Sequence, residues 1–475
     1  MSGSIAPLLL GQDKASVLMT DGYKFSMAQA GFPLREETFY LTLRRGGPFY
    51  IPFDLAEVVR GLLPSPPTGK EASFLAANGY GLNPAMEAAL GGSLKIWAAP
   101  TGSWVVAREP ILTITGQSFL VSWLEPLVIM LHYPIQIATA LLAGRQEFQA
   151  TCPDEVNIIR AVVDAMNIPG VTIDEVPYYK TRLQTQAILI RDVLGHTQMH
   201  RVFEVGLRAA TCMQQHLMAL EASRSVGINK TSNVYGAWKH YMIPVGTTGH
   251  EHQQRWGSRD EDGFRAIRDM RPEPPSYLFD TYNPIKLGIP AALKVIRETP
   301  TRPCSMRFDS GDQDEQLRLI LKGLHGFGHP NTPVNLIFED GYTADKTALN
   351  ESGLDGLWSR ERRLYGYGGF LVSAPAPTDL NRDKVSAAYK LCETGGRPVM
   401  KFSGTPGKES LPGRPVILRQ SPDKAMIAQE GEDVPGYKPL NKFHIGDRAT
   451  TTFSPLTKKL VANLTDSKGQ AEKTA

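Results

Sequence analysis

Charged residues follow short apolar segments in the second half of the chain. In RFDSGD (307–312), Arg307 can pair with a carboxylate or a phosphate. Asp309 and Asp312 can bind ribose hydroxyls or a Mg²⁺ held on phosphate oxygens. The same segment also fits a turn that caps the next helix, so both interpretations stay open. EDG (339–341) repeats this placement after the next apolar segment.

A glycine-rich segment, YGYGG (365–369), is the second candidate for phosphate chemistry. Its glycines, Gly366, Gly368 and Gly369, let the backbone approach a ligand, and successive N–H groups can then cradle a phosphate. A bulge or tight turn explains the same glycines. The GxGxxG spacing of dinucleotide-binding proteins is absent.

A histidine stands where a helix is expected to begin, after GTTG (246–249) and before the helical segment 251–256. Free N–H groups and the helix dipole favour a phosphate beside His250, and imidazole can be a nucleophile toward phosphoryl groups. Glu251 can orient the ring. Zinc binding by His250 and His252 lacks the i, i+4 spacing and any cysteine partner, so it is disfavoured. A surface or capping histidine is the plain alternative.

Two further candidates lie nearer the N-terminus. Arg208 in EVGLR (204–208) follows a strand-like segment and can hold pyrophosphate, although a surface ion pair is the commoner role of a lone arginine. In TDGYK (20–24), Thr20 or Asp21 can cap a helix, and Tyr23 offers a flat face for stacking.

The elements that must position these residues follow an alternating pattern. From Phe119 onward, helical segments alternate with apolar strands that end in polar residues, at 305–309, 334–340, 364–373 and 387–393. This is typical of a parallel α/β sheet or barrel, whose site lies at the carboxyl ends of the strands. Strands expected at 38–43, 94–100, 103–107 and 111–115 indicate a smaller α/β region before it.

Length and composition exclude several classes of protein. A chain of 475 residues is long enough for two or three domains, and its net charge of +3 does not favour binding to nucleic acid or membranes. The four cysteines are widely separated, which argues against a disulfide scaffold and suits a reducing cytosol. The N-terminus lacks a signal-peptide pattern. The apolar stretch 119–142 contains a glutamate, a histidine and two prolines, so it predicts one or two buried helices of a soluble core.

In this order, the segments resemble the nicotinate phosphoribosyltransferase family from about Leu18 to Arg419. The resemblance is carried by TDGYKFSMAQA, ETFYLTLRRGGPFY, FEVGLRAA, KTSNVYGAWKHYMIPVGTTGHEH, RFDSGDQDEQ, GYGG, AAYKLCE and KFSGTPGKESLPGRPVILR. It implies an irregular α/β barrel of the type II phosphoribosyltransferase kind, expected over 117–394. It also implies a second, smaller α/β domain built from both chain ends, 1–116 with 395–475. A cytoplasmic homodimer with shared active sites is the implied assembly.

The resemblance implies that nicotinate and phosphoribosyl pyrophosphate give nicotinate mononucleotide and pyrophosphate. ATP hydrolysis is coupled through a phosphohistidine at His250, with Mg²⁺ as cofactor and with Asp309 and Glu251 as further catalytic candidates. Mg²⁺ is expected on the pyrophosphate, with Asp309 as the one possible protein ligand. The implied substrate-binding residues are Tyr23 (from either subunit), Arg208, Ser232, Thr247 and Arg307. The implied phosphate-binding residues are Arg44, Arg45, Asp340, Gly341, Gly366, Gly368 and Gly369.

Two alternatives remain. Nicotinamide phosphoribosyltransferase, the nearest relative, carries an aspartate where this chain has Ser232. An aspartate accepts a hydrogen bond from an amide but repels a carboxylate by several kcal/mol, on the order of magnitude usual for juxtaposed like charges, so Ser232 favours the acid. The chain departs from the family pattern at Val205, Ala209 and Gly369, and Glu251 replaces a serine of some members. A weakly catalytic binding or regulatory member is therefore the second alternative.

Overall fold

A computed structural model describes residues 5–257, 259–271, 273–326, 333–402, 409–440 and 450–474. Part of the segment KFSGTPGKES, residues 403–408, lies outside the described residues. The strands are β1 (Glu36–Leu43), β2 (Phe49–Tyr50), β3 (Lys95–Ala98), β4 (Trp104–Val105), β5 (Leu112–Gln117), β6 (Glu147–Ala150), β7 (Thr172–Glu175), β8 (Val202–Glu204), β9 (Lys230–Thr231), β10 (Ile243–Pro244), β11 (Ser276–Leu278), β12 (Cys304–Phe308), β13 (Val334–Phe338), β14 (Arg363–Tyr367), β15 (Ala387–Thr394), β16 (Arg397–Pro398), β17 (Pro415–Ser421), β18 (Lys424–Gln429), β19 (Lys438–Pro439) and β20 (Thr450–Phe453).

The α-helices complete the architecture. They are α1 (Ala6–Leu10), α2 (Gly22–Gln29), α3 (Leu55–Gly61), α4 (Gly69–Ala77), α5 (Pro84–Leu90), α6 (Ser118–Trp123), α7 (Glu125–Ile129), α8 (His132–Leu142), α9 (Pro153–Met166), α10 (Tyr179–Leu194), α11 (Met213–Ser225), α12 (Val234–His240), α13 (His250–Trp256), α14 (Asp260–Met270), α15 (Ile289–Glu298), α16 (Gln313–His325), α17 (Ala344–Gly353), α18 (Arg382–Val385) and α19 (Pro455–Thr474).

A curled, seven-stranded parallel sheet forms a half-barrel in the order β10-β9-β8-β14-β13-β12-β11. Its central strands pair in a register that places Phe308, Phe338 and Tyr365 side by side, and their rings stack at centroid distances of 4.8 and 5.7 Å. Apolar strands buried on both faces and connected by helices are typical of parallel sheets. The expected parallel α/β architecture is thus confirmed for β12, β13 and β14.

The strand over 387–393 belongs to a different sheet from the one expected. As β15 it pairs antiparallel with β1, in a five-stranded sheet of order β16-β15-β1-β5-β3. Its apolar run matches a strand of either sheet, and only the distant partner β1 decides between them. The expectation for 103–107 also changes, because β4 is short and pairs with β2 outside this sheet. A four-stranded sheet, β19-β17-β18-β20, follows near the C-terminus.

The apolar stretch 119–142 folds into the three helices α6, α7 and α8, where one or two were expected. By length and composition alone, Glu125–Leu142 could cross a membrane, but 83% of it is buried inside the structure. A buried core helix passes the same test, so the finding is weak support for a membrane span.

The buried apolar residues form two large cores. One consists of residues between Ala187 and Leu371 and belongs to the half-barrel. The other combines residues from Ile5 to Tyr235 with residues from Val372 to Leu440. Helices α6 to α9 pack in this second core. The expected division into domains at residues 117 and 394 stays a prediction.

Candidate active site

The candidate residues converge because the half-barrel strands are parallel and end on one side. Three candidates directly follow strands of the sheet: Ser232 follows β9, Asp309 follows β12 and Glu339 follows β13. Arg307 is the second-last residue of β12. Val245 to Thr247 follow β10, and the loop with Arg208 follows β8. The carboxyl ends of parallel strands are where α/β proteins bind ligands.

Two cavities occupy this edge of the sheet. The larger, about 660 Å³, is lined by many charged groups, and the smaller, about 170 Å³, has a more apolar wall with Phe203, Ile337 and Leu364. Every catalytic, substrate-binding or phosphate-binding residue that the family resemblance implies lines at least one of them. Five residues line both, so the cavities meet at a common wall: Tyr23, Val205, Arg208, Arg307 and Glu339.

His250 is the first residue of α13, as the sequence indicated. Its Nε2 lies 3.1 Å from Asp309 Oδ2 and 2.7 Å from Lys401 Nζ, and its Nδ1 lies 3.2 Å from Thr281 Oγ1. Burial and the ammonium of Lys401 lower the pKa of His250, which favours the neutral ring. With the neutral ring protonated at Nδ1, Nε2 accepts from Lys401 and has the lone pair that a nucleophile needs. In this tautomer Nε2 does not donate to Asp309, whose negative charge is balanced by Arg307 and Lys401.

Arg307 is held by groups on both sides. Its Nη1 donates to Thr247 Oγ1 at 2.6 Å and to the Thr248 carbonyl at 2.8 Å, while its Nη2 contacts Asp309 at 2.8 Å and Glu339 at 3.0 Å. Burial opposes ionisation of Asp309, but the guanidinium of Arg307 outweighs it and holds the pKa of this carboxyl well below its usual range. The guanidinium Nε has no hydrogen-bond partner among the described residues. One donor is therefore left for a ligand.

Glu251 does not orient the histidine ring, contrary to the sequence-based expectation. Its carboxylate accepts from Lys24 Nζ at 2.8 Å and from Ser122 Oγ at 2.7 Å. Lys24 also pairs with Glu125 at 2.5 Å. The Glu251 carboxylate thus belongs to a buried network of charged side chains with Lys24 and Glu125. The side chains that contact His250 come from other elements.

Hydrogen bonds between Ser232 and the start of α2 hold Ser232 close to Tyr23. The Gly22 N–H donates to the Ser232 carbonyl at 2.8 Å, and Ser232 Oγ donates to Asp21 Oδ1 at 2.6 Å. Tyr23 donates to Glu125 at 3.0 Å. A Cβ on Gly246 would lie 2.4 Å from the Tyr23 backbone nitrogen, so the GTTG turn needs a glycine there to pack on α2. Tyr23 therefore reaches the cavities of its own chain.

The glycines at the end of β14 and directly after it are constrained mainly by protein neighbours. A Cβ on Gly366 would meet Glu339 Cγ at 2.7 Å, and one on Gly369 would meet Asp383 Oδ2 at 2.5 Å. A threonine, usual in the family at position 369, has no room here without a shift of Asp383. At Gly368 the nearest atom lies at an ordinary 3.5 Å.

The structure also bears on two alternatives weighed from the sequence. Asp312 is exposed, and its carboxylate caps α16 by accepting from the N–H groups of Asp314 and Glu315, both at 3.0 Å. The capping interpretation therefore applies to Asp312, whereas Asp309 lines the large cavity. His252 is buried and contacts the Gly263 carbonyl at 2.8 Å, so it does not join His250 in a metal site.

Several functional candidates were missed by sequence reasoning. Arg382, Lys390 and Lys401 line the large cavity beside Arg44 and Arg45. Asp280 was also missed. Its carboxylate lies 3.9 Å from His250 Nδ1, and ligand atoms of His250, Asp280 and Asp309 lie within 4.8 Å of one another. The segments AAYKLCE and KFSGTPG contain both lysines, so their charges within apolar or glycine-rich runs were the available signal.

The fold and site define an α/β half-barrel protein with a cavity lined by charged residues at the carboxyl ends of its strands. No family model matches the chain. It is 29% identical over 281 residues to nicotinate phosphoribosyltransferase of Bacillus subtilis, covering 56% of this chain and about half (53%) of that relative. It is 24% identical over 453 residues to the human protein of the same name, covering 89% and 81%. The chain is therefore a homologue of the nicotinate phosphoribosyltransferases.

Solved structures support the same fold. The nicotinate phosphoribosyltransferase of Porphyromonas gingivalis matches with a TM-score of 0.59 at 18% identity, covering 83% of this chain and 96% of that one. The protein of that name from Vibrio cholerae matches with a TM-score of 0.60 at 19% identity, covering 85% and 92%. At these identities the likeness shows the fold alone.

Proposed function

We propose that the chain catalyses transfer of the phosphoribosyl group of phosphoribosyl pyrophosphate to nicotinate, releasing pyrophosphate. The observation that carries this proposal is the common wall of the two cavities, where Tyr23, Arg208 and Arg307 meet. A small cavity with apolar walls suits a pyridine ring, and a larger cationic one suits phosphates. The homologues' shared name supports the same reaction.

The small cavity binds the pyridine acid. Its ring lies against Tyr23, and its carboxylate is bound by the remaining donor of Arg307 with help from Thr247 and Ser232. Val205 takes part in the wall between the cavities, where an aliphatic side chain leaves more room than an aromatic one. The ring nitrogen then points toward the large cavity and the ribose.

The large cavity binds the sugar phosphates and stabilises the leaving pyrophosphate. Arg44, Arg45, Arg382 and Lys390 supply positive charge, and the backbone of 366–369 and 340–341 lies at the same wall. The bond from the anomeric carbon to pyrophosphate breaks as the pyridine nitrogen bonds to that carbon. The protein holds both reactants in line and stabilises the departing anion.

ATP coupling proceeds through His250. Nε2, once released by Lys401, attacks the terminal phosphorus of ATP, and the bond to ADP breaks. Thr281 Oγ1 accepts the ring proton at Nδ1 and orients the imidazole, and the Asp280 carboxylate, 3.9 Å away, stabilises positive charge that develops on the ring. Hydrolysis of the phosphohistidine afterwards couples ATP to ribosyl transfer.

Mg²⁺ fits the site as a partner of the phosphates. It prefers oxygen ligands and keeps several waters. Both Asp309 oxygens already contact Arg307 and His250, so Asp309 can contribute only by exchanging one of them. The cation neutralises phosphate charge, while Asp309 holds His250 and Arg307 in place.

Preference for the acid rests on the Asp21–Ser232 pair. Burial raises the pKa of Asp21, which favours a protonated carboxyl that does not repel a bound carboxylate. The same carboxyl beside Ser232 can accept from an amide when ionised, so nicotinamide is the second candidate substrate.

The test is turnover by the purified chain. With Mg²⁺, ATP, phosphoribosyl pyrophosphate and labelled nicotinate, we expect labelled nicotinate mononucleotide and one pyrophosphate per product. Arg307→Gln is the loss-of-function control, and Arg259→Gln, at an exposed ion pair, is the matched neutral control. Tight nicotinate binding without product would instead support a binding or regulatory role.

A further inference from the structure

A buried polar network lies behind the small cavity and takes no part in the chemistry above. Its centre is the pair Glu204 and His216, whose side chains are both fully buried. Neither residue is among those that line the two cavities. A buried carboxylate is stable only when its hydrogen bonds are made, so its partners show what it organises.

Glu204 connects two backbone segments that carry residues lining the small cavity. One oxygen accepts from the Gly206 N–H and from His216 Nε2, the latter at 3.0 Å, and the other accepts from Thr231 Oγ1 at 2.7 Å. Gly206 begins the short turn that carries Arg208. Thr231 directly precedes Ser232. One carboxylate therefore ties together the backbone segments of two substrate-binding candidates.

The hydrogen bonds of Asn233 define the protonation of His216. Asn233 Oδ1 accepts from the Gly236 N–H at 3.0 Å, so its Nδ2 is the atom that donates to His216 Nδ1 at 2.8 Å. His216 Nδ1 is then an acceptor, and Nε2 carries the proton donated to Glu204. The histidine thus links Glu204 to the start of α12.

The same network reaches Tyr23. The Ser232 N–H donates to the Glu204 carbonyl at 2.9 Å, and the Ser232 carbonyl accepts from Gly22, the residue before Tyr23. Asp21 and Asn233 also form a β-bridge. Arg208, Ser232 and Tyr23 thus depend on one set of buried bonds for their separation across the small cavity.

We propose that Glu204 and His216 are positioning residues, which hold Arg208 and Ser232 at the separation that a pyridine carboxylate requires and act without touching it. The proposal rests on the proposed function of the small cavity. In this role the pair affects binding of the pyridine acid. Phosphate binding at the end of the large cavity that contains Arg44 and Lys401 is expected to be unaffected.

Two substitutions at His216 separate its two hydrogen bonds. In His216→Gln the amide nitrogen reaches about the position of Nε2 and can still donate to Glu204. In His216→Asn the shorter side chain can still contact Asn233 but leaves Glu204 without this donor. We expect His216→Asn to weaken nicotinate binding about tenfold, as for loss of one buried hydrogen bond to a charged group, and His216→Gln to restore most of it.

Calorimetry with nicotinate and, separately, with ADP provides the measurement, and thermal unfolding confirms that each variant is folded. ADP affinity should stay within about twofold, because ADP is expected at the end of the large cavity that contains Arg44 and Lys401, which makes no hydrogen bond to Glu204 or His216 among the described residues. Equal losses for both ligands, or no rescue by His216→Gln, would mark a general packing defect and overturn the inference. Thr231→Val, which removes a single donor to Glu204, replaces His216→Asn if that variant does not fold, with the same expectation.

The design distinguishes the inference from the proposed function. Wild-type protein that does not bind nicotinate overturns the proposed function, and the inference with it. Wild-type binding that His216→Asn leaves unchanged overturns the inference alone.

Discussion

The ammonium nitrogen of Lys401 lies 2.7 Å from Nε2 of His250, although 151 positions separate the two residues in the chain. Burial and this cation lower the pKa of His250, and the contact occupies the Nε2 lone pair. In the proposed mechanism, an incoming phosphate would offer Lys401 a new partner and release Nε2. This exchange would link phosphate binding to activation of the proposed nucleophile.

Substituting Lys401 should therefore slow phosphorylation of His250. In Lys401→Met, we expect the rate of phosphohistidine formation from ATP to fall roughly 10²- to 10³-fold, as when one preorganised donor to a developing charge is lost. Lys401→Arg should retain part of the rate. Acid-labile and base-stable radiolabel from [γ-³²P]ATP measures the step. An unchanged rate in Lys401→Met would show that the contact has no role in it.

Removing the imidazole of His250 should uncouple ribosyl transfer from ATP hydrolysis. His250→Ala is expected to form some nicotinate mononucleotide but to lose the stimulation by ATP, because the group that accepts the phosphate is gone. The measurement is product per ATP hydrolysed. Full ATP dependence in His250→Ala would contradict the phosphohistidine assignment.

Lys390 should make phosphate binding pH-dependent near neutrality. Burial lowers the pKa of Lys390 to about 7, against the attraction of Glu125. Its cationic form dominates below that pH and is lost above it, so affinity for an anion should fall as the pH rises from 7 to 9, by at most about tenfold per pH unit.

Lys390→Arg keeps its charge throughout this range, since the guanidinium titrates far higher. The ratio of pyrophosphate dissociation constants between wild type and Lys390→Arg cancels the ligand's own titration. A ratio that stays constant from pH 6 to 9 would exclude Lys390 as the titrating group.

Breaking a buried ion pair outside the candidate site should lower the free energy of unfolding far more than breaking an exposed one. Arg419 donates to Glu109 at 3.0 Å, and both side chains are fully buried. Arg419→Met leaves the Glu109 charge buried without its cation, which should lower the free energy of unfolding by about 3–5 kcal/mol. Lys180→Met, at the exposed ion pair with Glu221, should change it by less than about 1 kcal/mol. Chemical denaturation of both variants provides the comparison, and equal effects would contradict it.

Local sequence patterns predicted much of the half-barrel. The apolar runs before Asp309 and Glu339 and the acidic residues that end them lie within a few positions of each other. Such short-range patterns predict a strand and its polar end without knowledge of the tertiary structure. A pattern of the same kind at 387–393 led to the wrong sheet, because β15 pairs with β1 across some 350 positions, as in Tyr40 with Lys390. Pairing at that distance leaves no local signature.

Side-chain partnerships were less predictable than positions. Glu251 is adjacent to His250 in sequence, but successive helical residues point in different directions, and its carboxylate faces Lys24 instead. Asp280 and Lys401, which lie 3.9 and 2.7 Å from the imidazole nitrogens, come from the segments that follow β11 and β16. Charge alone did not distinguish them from surface residues.

The most direct test of the account compares the two pyridine substrates. With phosphoribosyl pyrophosphate, ATP and Mg²⁺ held constant, kcat/KM is measured for nicotinate and for nicotinamide by separating the two mononucleotides. The account predicts that kcat/KM for nicotinate exceeds that for nicotinamide by at least about tenfold, corresponding to 1.4 kcal/mol of discrimination. Equal or reversed values would contradict a cavity built for the pyridine acid.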